Sequence, residues 1–132
     1  MRKNILLTAI LSLTTYFGIA QKNPNQIGGR KDKHGCVRAA GYQWSELKNE
    51  CIRAFELPVQ LFDANKNWNA SFIVDQTGTK AEVFCKEGHY ILNINEAGCF
   101  EYKKRKKQLK LCKKDNQWTL NCNSVVYSGY LN

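Results

Sequence analysis

The sequence is poor in the residues that usually form catalytic and metal sites. It has only two histidines, His34 and His89, and no cysteine pair at CxxC spacing, which argues against a structural zinc site. The 11 acidic residues are scattered, so no carboxylate pair is placed for acid–base catalysis, and Glu82, Glu96 and Glu101 are the ones we single out for testing. We therefore predict a protein that is not an enzyme and has neither a metal nor a cofactor.

Long apolar runs are also absent after residue 20. The one such run, ILLTAILSLTTYFGIA, follows the basic residues Arg2 and Lys3 and contains Gly18 and Ala20 near its end. This order is typical of a secretory signal peptide cleaved near Ala20. An uncleaved membrane anchor is the alternative, but the run is short for a full span. We therefore predict export to the periplasm or the medium, with no integral membrane span in the mature chain.

Six cysteines and a strong positive charge characterise the mature part. All six cysteines follow residue 20, and an even number in an exported chain favours disulfides. The remaining 112 residues suffice for one domain. Without Arg2 and Lys3 the formal charge falls from +9 to +7, which favours acidic partners but also aids solubility without any partner.

Alternating apolar residues predict strands through most of residues 58–132. Apolar side chains recur at a spacing of two, the period of a half-buried strand, and polar turns separate the segments. After two strands near 59–62 and 68–74, further segments cover 81–86, 89–94, 98–103, 108–113, 117–121 and 124–128. The fold class that we predict is therefore mainly β, a small antiparallel meander of about eight strands that curls into a barrel or sandwich.

Register arithmetic predicts a disulfide in this sheet. If the turn of the third hairpin lies within 103–108, Tyr102 faces Leu109 and Phe100 faces Leu111. Cys99 then lies opposite Cys112, on the face away from the aromatic residues, so we predict that they pair. Cys85 and Cys122 share the core parity and could pair by elimination. Six cysteines allow fifteen connectivities, so the sequence alone does not choose among them.

The N-terminal third of the mature chain carries different signals. Residues 21–33 are polar and contain adjacent glycines, which predicts a flexible leader before a single domain over 34–132. Ser45 is a good N-cap, and Leu47, Cys51 and Phe55 recur at helical spacing, so we predict a short helix over 46–55. A Cys36–Cys51 disulfide would close this segment, at a gain of roughly 3 kcal/mol.

The segment 34–57 carries three short motifs in a fixed order. They are His34-Gly35-Cys36, Ala40-Gly41-Tyr42-Gln43-Trp44 and Cys51-Ile52-Arg53. This order resembles small exported proteins of unknown function from Bacteroidetes-type bacteria. We interpret the segment as a disulfide-held plug whose Tyr42, Trp44 and Phe55 cap one end of the sheet, since clustered aromatic residues are usually core.

The strongest charge feature is a run of five cations at a predicted hairpin tip. Such a run repels itself, projects into solvent and could seat phosphates or sulfates, with one tyrosine at its base as an aromatic edge. The plainer interpretation is a solvated turn that blunts edge pairing. We call this feature the basic hairpin, and its predicted ligand-binding residues are Tyr102, Lys103, Lys104, Arg105, Lys106 and Lys107.

A second set of residues is spread over the predicted sheet. It consists of Ala81-Glu82-Val83, Gly88, Leu92, Ala97-Gly98, Tyr102, Leu109, Trp118-Thr119-Leu120 and Tyr127. Their spacing is similar to that of the small β-barrel of bacterial inhibitors of c-type lysozyme. In that family a serine and a glycine precede a tyrosine on a loop that enters the lysozyme cleft. The nearest match here is Ala97-Gly98 before Tyr102, which lacks the serine and has a longer spacing, and the resemblance implies an inhibitory loop that includes Glu96, Ala97 and Gly98.

Two functions follow as predictions. The first is a non-catalytic exported binding protein whose basic hairpin engages an acidic polymer or another anionic component of the cell envelope. The second, implied by the resemblance, is an inhibitor of a lysozyme-type enzyme that acts through Glu96, Ala97 and Gly98. A net charge of +7 would repel a basic lysozyme unless the contact face were locally acidic.

Overall fold

The computed structural model describes residues 29–130, and these form a closed antiparallel β-barrel with a small N-terminal subdomain. The predicted signal peptide at 1–20 and residues 21–28 of the predicted leader lie outside this range. Within it, no helix combines the length and the apolar character needed to cross a membrane.

Ten strands are present in residues 29–130. Two short ones, β1 (Gln43–Ser45) and β2 (Glu50–Ile52), pair only with each other. The other eight close the barrel in the order β10-β3-β4-β5-β6-β7-β8-β9. Their bounds are β3 Gln60–Asp63, β4 Asn69–Val74, β5 Lys80–Cys85, β6 Gly88–Ile94, β7 Phe100–Lys104, β8 Lys107–Lys114, β9 Gln117–Cys122 and β10 Val125–Tyr130.

The barrel interior is filled by the alternating apolar residues of these strands. Inward side chains interdigitate because successive residues of a strand point to opposite faces. The largest core members are fully buried and come from six of the eight strands. They are Leu61, Val83, Leu92, Leu109, Leu111, Leu120 and Tyr127. The mainly β, eight-stranded antiparallel fold class is therefore confirmed, and of the two arrangements left open it is the barrel that forms.

The register predicted for the third hairpin is also confirmed. Tyr102 pairs with Leu109 and Phe100 with Leu111 across β7 and β8. The next positions in that register are occupied by Cys99 and Cys112, and these form a disulfide. Both cysteines are half-buried, because they lie on the face opposite the core residues Phe100 and Leu111.

The helix predicted over 46–55 does not form. The segment contains instead a turn at 46–49, then β2 and a 3₁₀ helix at Ala54–Glu56. The capping signal at Ser45 was real, since its Oγ accepts the N–H of Lys48 at 3.1 Å. What it caps is a single turn, because Asn49 adopts a left-handed φ of 54° and the chain folds back so that Gln43 pairs with Ile52.

We call residues 31–57 the cap. The predicted Cys36–Cys51 disulfide is present in it. The position of the cap differs from the predicted one, because the cap lies against the outer wall of β5 and not at an end of the sheet. Phe55, which was predicted to cover that end, is 57% exposed. The predicted leader also ends early, since Lys31 forms a bridge with Val37.

Candidate binding site at the basic end of the barrel

The two ends of the barrel differ in their turns. Because consecutive strands are antiparallel, the turns at 64–68, 86–87, 105–106 and 123–124 lie at one end. The turns at 75–79, 95–99 and 115–116 lie at the other. The first set includes the tip of the basic hairpin, so we call that end of the barrel the basic end.

The basic hairpin is a tight two-residue turn. Lys104 pairs with Lys107, which leaves Arg105 and Lys106 at the tip, and Arg105 has a positive φ of 54°. All five cations, from Lys103 to Lys107, are exposed. No carboxylate of residues 29–130 forms an ion pair with any of them. Within this range, their positive charges are therefore not neutralised by any direct ion pair.

Two lysines at or beside the basic hairpin have side-chain partners. Lys110 lies 3.2 Å from the carboxylate of Glu101, its partner across β7 and β8. Lys107 points towards the mouth of the barrel, where its Nζ donates to the hydroxyl of Tyr90 at 2.9 Å. Tyr90 in turn packs against Tyr102 with ring centroids 5.1 Å apart. The predicted aromatic edge at the base of the hairpin thus consists of two tyrosines.

Sequence reasoning missed two further residues at this end. Lys86, in the turn between β5 and β6, places its Nζ 3.9 Å from the centre of the Trp68 ring. Trp68 precedes β4 and is 48% exposed. The predicted strands were enough to place both residues at this end, because alternate turns of a meander lie at the same end of a barrel.

The alternative inhibitory residues Glu96, Ala97 and Gly98 lie at the opposite end of the barrel. They are exposed in the turn between β6 and β7. Asn95 holds this turn, because its Oδ1 accepts the N–H groups of Ala97 and Cys99 at 3.0 Å each. The structure therefore separates the two predicted sites.

An open cleft of about 620 Å³ lies between the cap and the barrel wall. Aromatic side chains from both parts line it, among them Tyr42 and Phe55 from the cap and Trp68 and Phe84 from the barrel. Cations also border it, including Arg38 and Lys86. The Arg53 guanidinium lies 4.4 Å from the centre of the Tyr42 ring, so a positive charge is also present on the cap side of the cleft.

Glu82 anchors the cap and is fully buried on the outer face of β5. Its carboxylate accepts the Ser45 hydroxyl at 2.6 Å, the Glu46 N–H at 2.7 Å, the Leu47 N–H at 3.2 Å and His89 Nε2 at 2.5 Å. Burial alone would raise the pKa of Glu82, but these hydrogen bonds outweigh it and hold the pKa below its ordinary value. Ser45 and His89 thus bind one carboxylate from two sides and do not pair with each other.

The last two cysteines meet inside the basic end. Cys85 and Cys122 place their sulfurs 3.9 Å apart, so the predicted partners are neighbours, but the structure records them as free thiols. The covalent Cys85–Cys122 bond is therefore absent, in contrast to the other two predicted pairs. Glu87, in the turn next to Cys85, completes a group whose ligand atoms lie within 4.8 Å of one another.

The basic end thus gathers unpaired cations, exposed aromatic rings and a thiol pair, all on turns that a closed barrel holds in place. Its opposite end carries the turn of Glu96, Ala97 and Gly98. Comparisons with models of protein families, with curated proteins and with solved structures found no match.

Proposed function

We propose that this protein is a non-catalytic binding protein that captures a polyanion at the basic end of its barrel. The observation that carries the proposal is the row of exposed cations Lys103, Lys104, Arg105 and Lys106, none of which has a carboxylate partner within residues 29–130. Cations held this closely repel one another, and a bound polyanion relieves that repulsion.

The rigidity of the hairpin supports the same proposal. The basic hairpin is tied by five register pairs between β7 and β8 and by the Cys99–Cys112 disulfide near its base. Because the backbone is fixed before binding, a ligand orders mainly the ends of lysine side chains, which lowers the entropic cost of binding. Lys86 at the next turn extends the positive surface along the rim.

The ligand class that fits this surface is a sulfated or uronic acid polysaccharide of a cell envelope or extracellular matrix. Anionic groups spaced along a chain match cations spaced along a hairpin, and sugar rings can pack on the exposed part of an aromatic residue such as Trp68. We also propose an exported location, which the two disulfides support because such bonds persist in oxidising compartments.

Binding to heparin, used as a sulfated polysaccharide probe, tests the proposal. We expect the affinity to fall steeply as salt rises, because screening weakens contacts between exposed charges. Changing Lys103, Lys104, Arg105 and Lys106 together to serine should weaken binding by about tenfold or more at low salt. Lys107 is retained in this variant because of its contact with Tyr90.

A matched control carries the same loss of charge elsewhere. It changes four exposed lysines away from the basic hairpin to serine, namely Lys33, Lys48, Lys80 and Lys114. If the basic hairpin is the site, the control binds heparin much more tightly than the hairpin variant. Equal losses in the two variants would mean that net charge alone drives binding, and an affinity unmoved by salt would contradict the proposal.

A second candidate function is inhibition of a lysozyme-type enzyme. The observation that favours it is the exposed, tightly held turn of Glu96, Ala97 and Gly98, since a preorganised loop is what an inhibitor needs. Titration of a c-type lysozyme should then give stoichiometric inhibition that survives the change of the basic hairpin to serine. A Glu96→Ala, Ala97→Ser double variant should alter it, and no inhibition at any ratio would remove the proposal for that enzyme.

A further inference from the structure

A cluster of acidic groups occupies the interior of the basic end. Cys85 ends β5 and Cys122 ends β9, and both follow the inward parity of their strands. The carboxylate of Glu87 reaches them from the turn after β5. Tyr127, fully buried on β10, donates its hydroxyl to Glu87 at 3.2 Å. Three strands and one turn thus bring together four ionisable groups, two thiols, one carboxyl and one phenol.

The Glu87 carboxylate of this cluster has no ion-pair partner in the part of the chain that the structure describes. Lys107 is linked to Glu87 only through Tyr90: its Nζ donates to the Tyr90 hydroxyl, which donates to the backbone carbonyl of Glu87 at 2.7 Å. The three possible ligand atoms lie within 4.8 Å of one another. A divalent cation bound between them would displace the thiol protons and supply a positive charge beside the Glu87 carboxylate.

We propose that Cys85, Cys122 and Glu87 bind a thiophilic divalent cation of the zinc class. Two thiolates and one carboxylate form a donor set that zinc accepts, with a fourth position left for water. The separation of the sulfurs fits this ion. Two sulfurs at about 2.3 Å from a tetrahedral zinc lie roughly 3.8 Å apart, and those of Cys85 and Cys122 are 3.9 Å apart.

The chemistry of binding balances without a redox partner. Each thiol gives up its proton to solvent as its sulfur binds the metal, so two protons are released for each ion bound. The Glu87 carboxylate supplies the third anionic ligand. Tyr127 is a positioning residue, because its hydroxyl donates to the Glu87 carboxylate and thereby orients it.

Metal binding at this site does not depend on polyanion binding. The alternative for the same two sulfurs is a disulfide bond. Oxidation to a disulfide would join the two sulfurs at about 2.05 Å and transfer two electrons to an external thiol oxidant. A disulfide has no thiolate to offer, so metal binding and cross-linking exclude each other. The number of free thiols in the isolated protein therefore distinguishes the metal-binding form from the disulfide form.

The experiment uses the full chain with the Cys36–Cys51 and Cys99–Cys112 disulfides intact. A thiol count on the denatured, unreduced protein should give two free thiols, those of Cys85 and Cys122. Adding Co²⁺ as a spectroscopic probe should give sulfur-to-metal charge-transfer bands and the intense visible bands of a tetrahedral site. One equivalent of Zn²⁺ should abolish these bands, protect both thiols from alkylation and raise the thermal unfolding midpoint.

Variants separate the ligands from their surroundings. Cys85→Ser and Cys122→Ser should each weaken Zn²⁺ binding by at least about a hundredfold and change the charge-transfer bands. Tyr127→Phe should weaken it by roughly tenfold while the bands keep their shape, as expected for a residue that orients a ligand. Glu96→Gln, at the opposite end of the barrel, should change nothing.

Three results would overturn the proposal. The first is a Cys85–Cys122 disulfide in protein isolated with zinc present. The second is the absence of charge-transfer bands from protein with two free thiols. The third is Zn²⁺ affinity that survives in Cys122→Ser. The serine variant of Lys103, Lys104, Arg105 and Lys106 should bind Zn²⁺ normally, which separates this site from polyanion binding.

Discussion

Glu82 is a buried carboxylate whose four hydrogen-bond partners come from two separate parts of the chain. Ser45, Glu46 and Leu47 approach it from the cap, and His89 approaches it from β6. A buried charge is costly unless it is fully hydrogen-bonded, so the carboxylate and its partners depend on one another. This one residue thereby supplies three hydrogen bonds that hold the cap against the wall of the barrel.

We expect Glu82→Gln to destabilise the protein by about 2–3 kcal/mol, since it replaces charge-assisted hydrogen bonds and sets an amide N–H₂ against N–H donors of the cap. Chemical denaturation followed by fluorescence measures the change. Glu96→Gln is the matched control, because Glu96 is exposed, and it should alter the unfolding free energy by less than about 0.5 kcal/mol. Equal effects of the two changes would show that Glu82 does not anchor the cap.

The same carboxylate should make stability depend on pH. The pKa of Glu82 is held below its ordinary value of 4.5 in the folded protein, so folding favours the ionised form. Its contribution is therefore complete above the pKa of the unfolded chain and is lost as pH falls through the lower pKa of the folded state. Unfolding free energies measured from pH 6 downwards should show this loss, and Glu82→Gln should lack this part of the acid dependence.

At the scale of secondary-structure elements, the seam between β10 and β3 closes the barrel with only two register pairs. Gly129 lies in β10, one residue beyond these pairs, and faces the start of β3. A Cβ built on it would lie 2.5 Å from the carbonyl oxygen of Gln60 and 2.9 Å from Leu61 Cδ2. The close approach of two backbones therefore requires glycine there.

Gly129→Ala should consequently destabilise the barrel by about 2 kcal/mol or more, because backbone atoms must shift to make room for the methyl group. Gly29→Ala is the control, since nothing lies within 4 Å of a Cβ at that position. Thermal and denaturant unfolding of both variants measure the difference. A neutral Gly129→Ala would mean that the seam opens or adjusts easily.

The cap depends on its own covalent link. The Cys36–Cys51 disulfide joins the start of the cap to β2 and closes a loop of 15 residues in sequence separation. In the chain-entropy treatment such a loop contributes about 3 kcal/mol. The cap is also attached to the barrel by the partners of Glu82 and by Gln60 of β3, whose side-chain amide donates to the carbonyls of Ala54 and Leu57 at 2.9 Å each.

At the scale of the whole molecule, the barrel closes without the cap, because its eight strands pair only with one another. We therefore expect a Cys36→Ala, Cys51→Ala double variant to lose protection of cap amides from hydrogen exchange, while amides of β5, β8 and β9 keep most of theirs. Exchange followed by mass spectrometry of peptides measures this. Loss of protection throughout the barrel would show that the two parts fold as one cooperative unit.

The sequence by itself determined the eight-stranded meander and the register of its third hairpin. Those features follow from local rules, since a strand repeats every two residues and a hairpin turn sets which residues face each other. The Cys99–Cys112 disulfide could be predicted for the same reason, because both cysteines belong to one hairpin. The basic hairpin was equally visible, as a run of cations between two predicted strands.

Only the tertiary structure decided the rest. The helix over 46–55 failed because Glu82, distant in sequence, binds the N–H groups of Glu46 and Leu47 and favours a turn where local spacing favours a helix. Cys85 and Cys122 meet because the barrel closes and brings strands β5 and β9 together inside it. Such contacts depend on how the whole sheet curves, and no periodicity within one segment encodes that curvature.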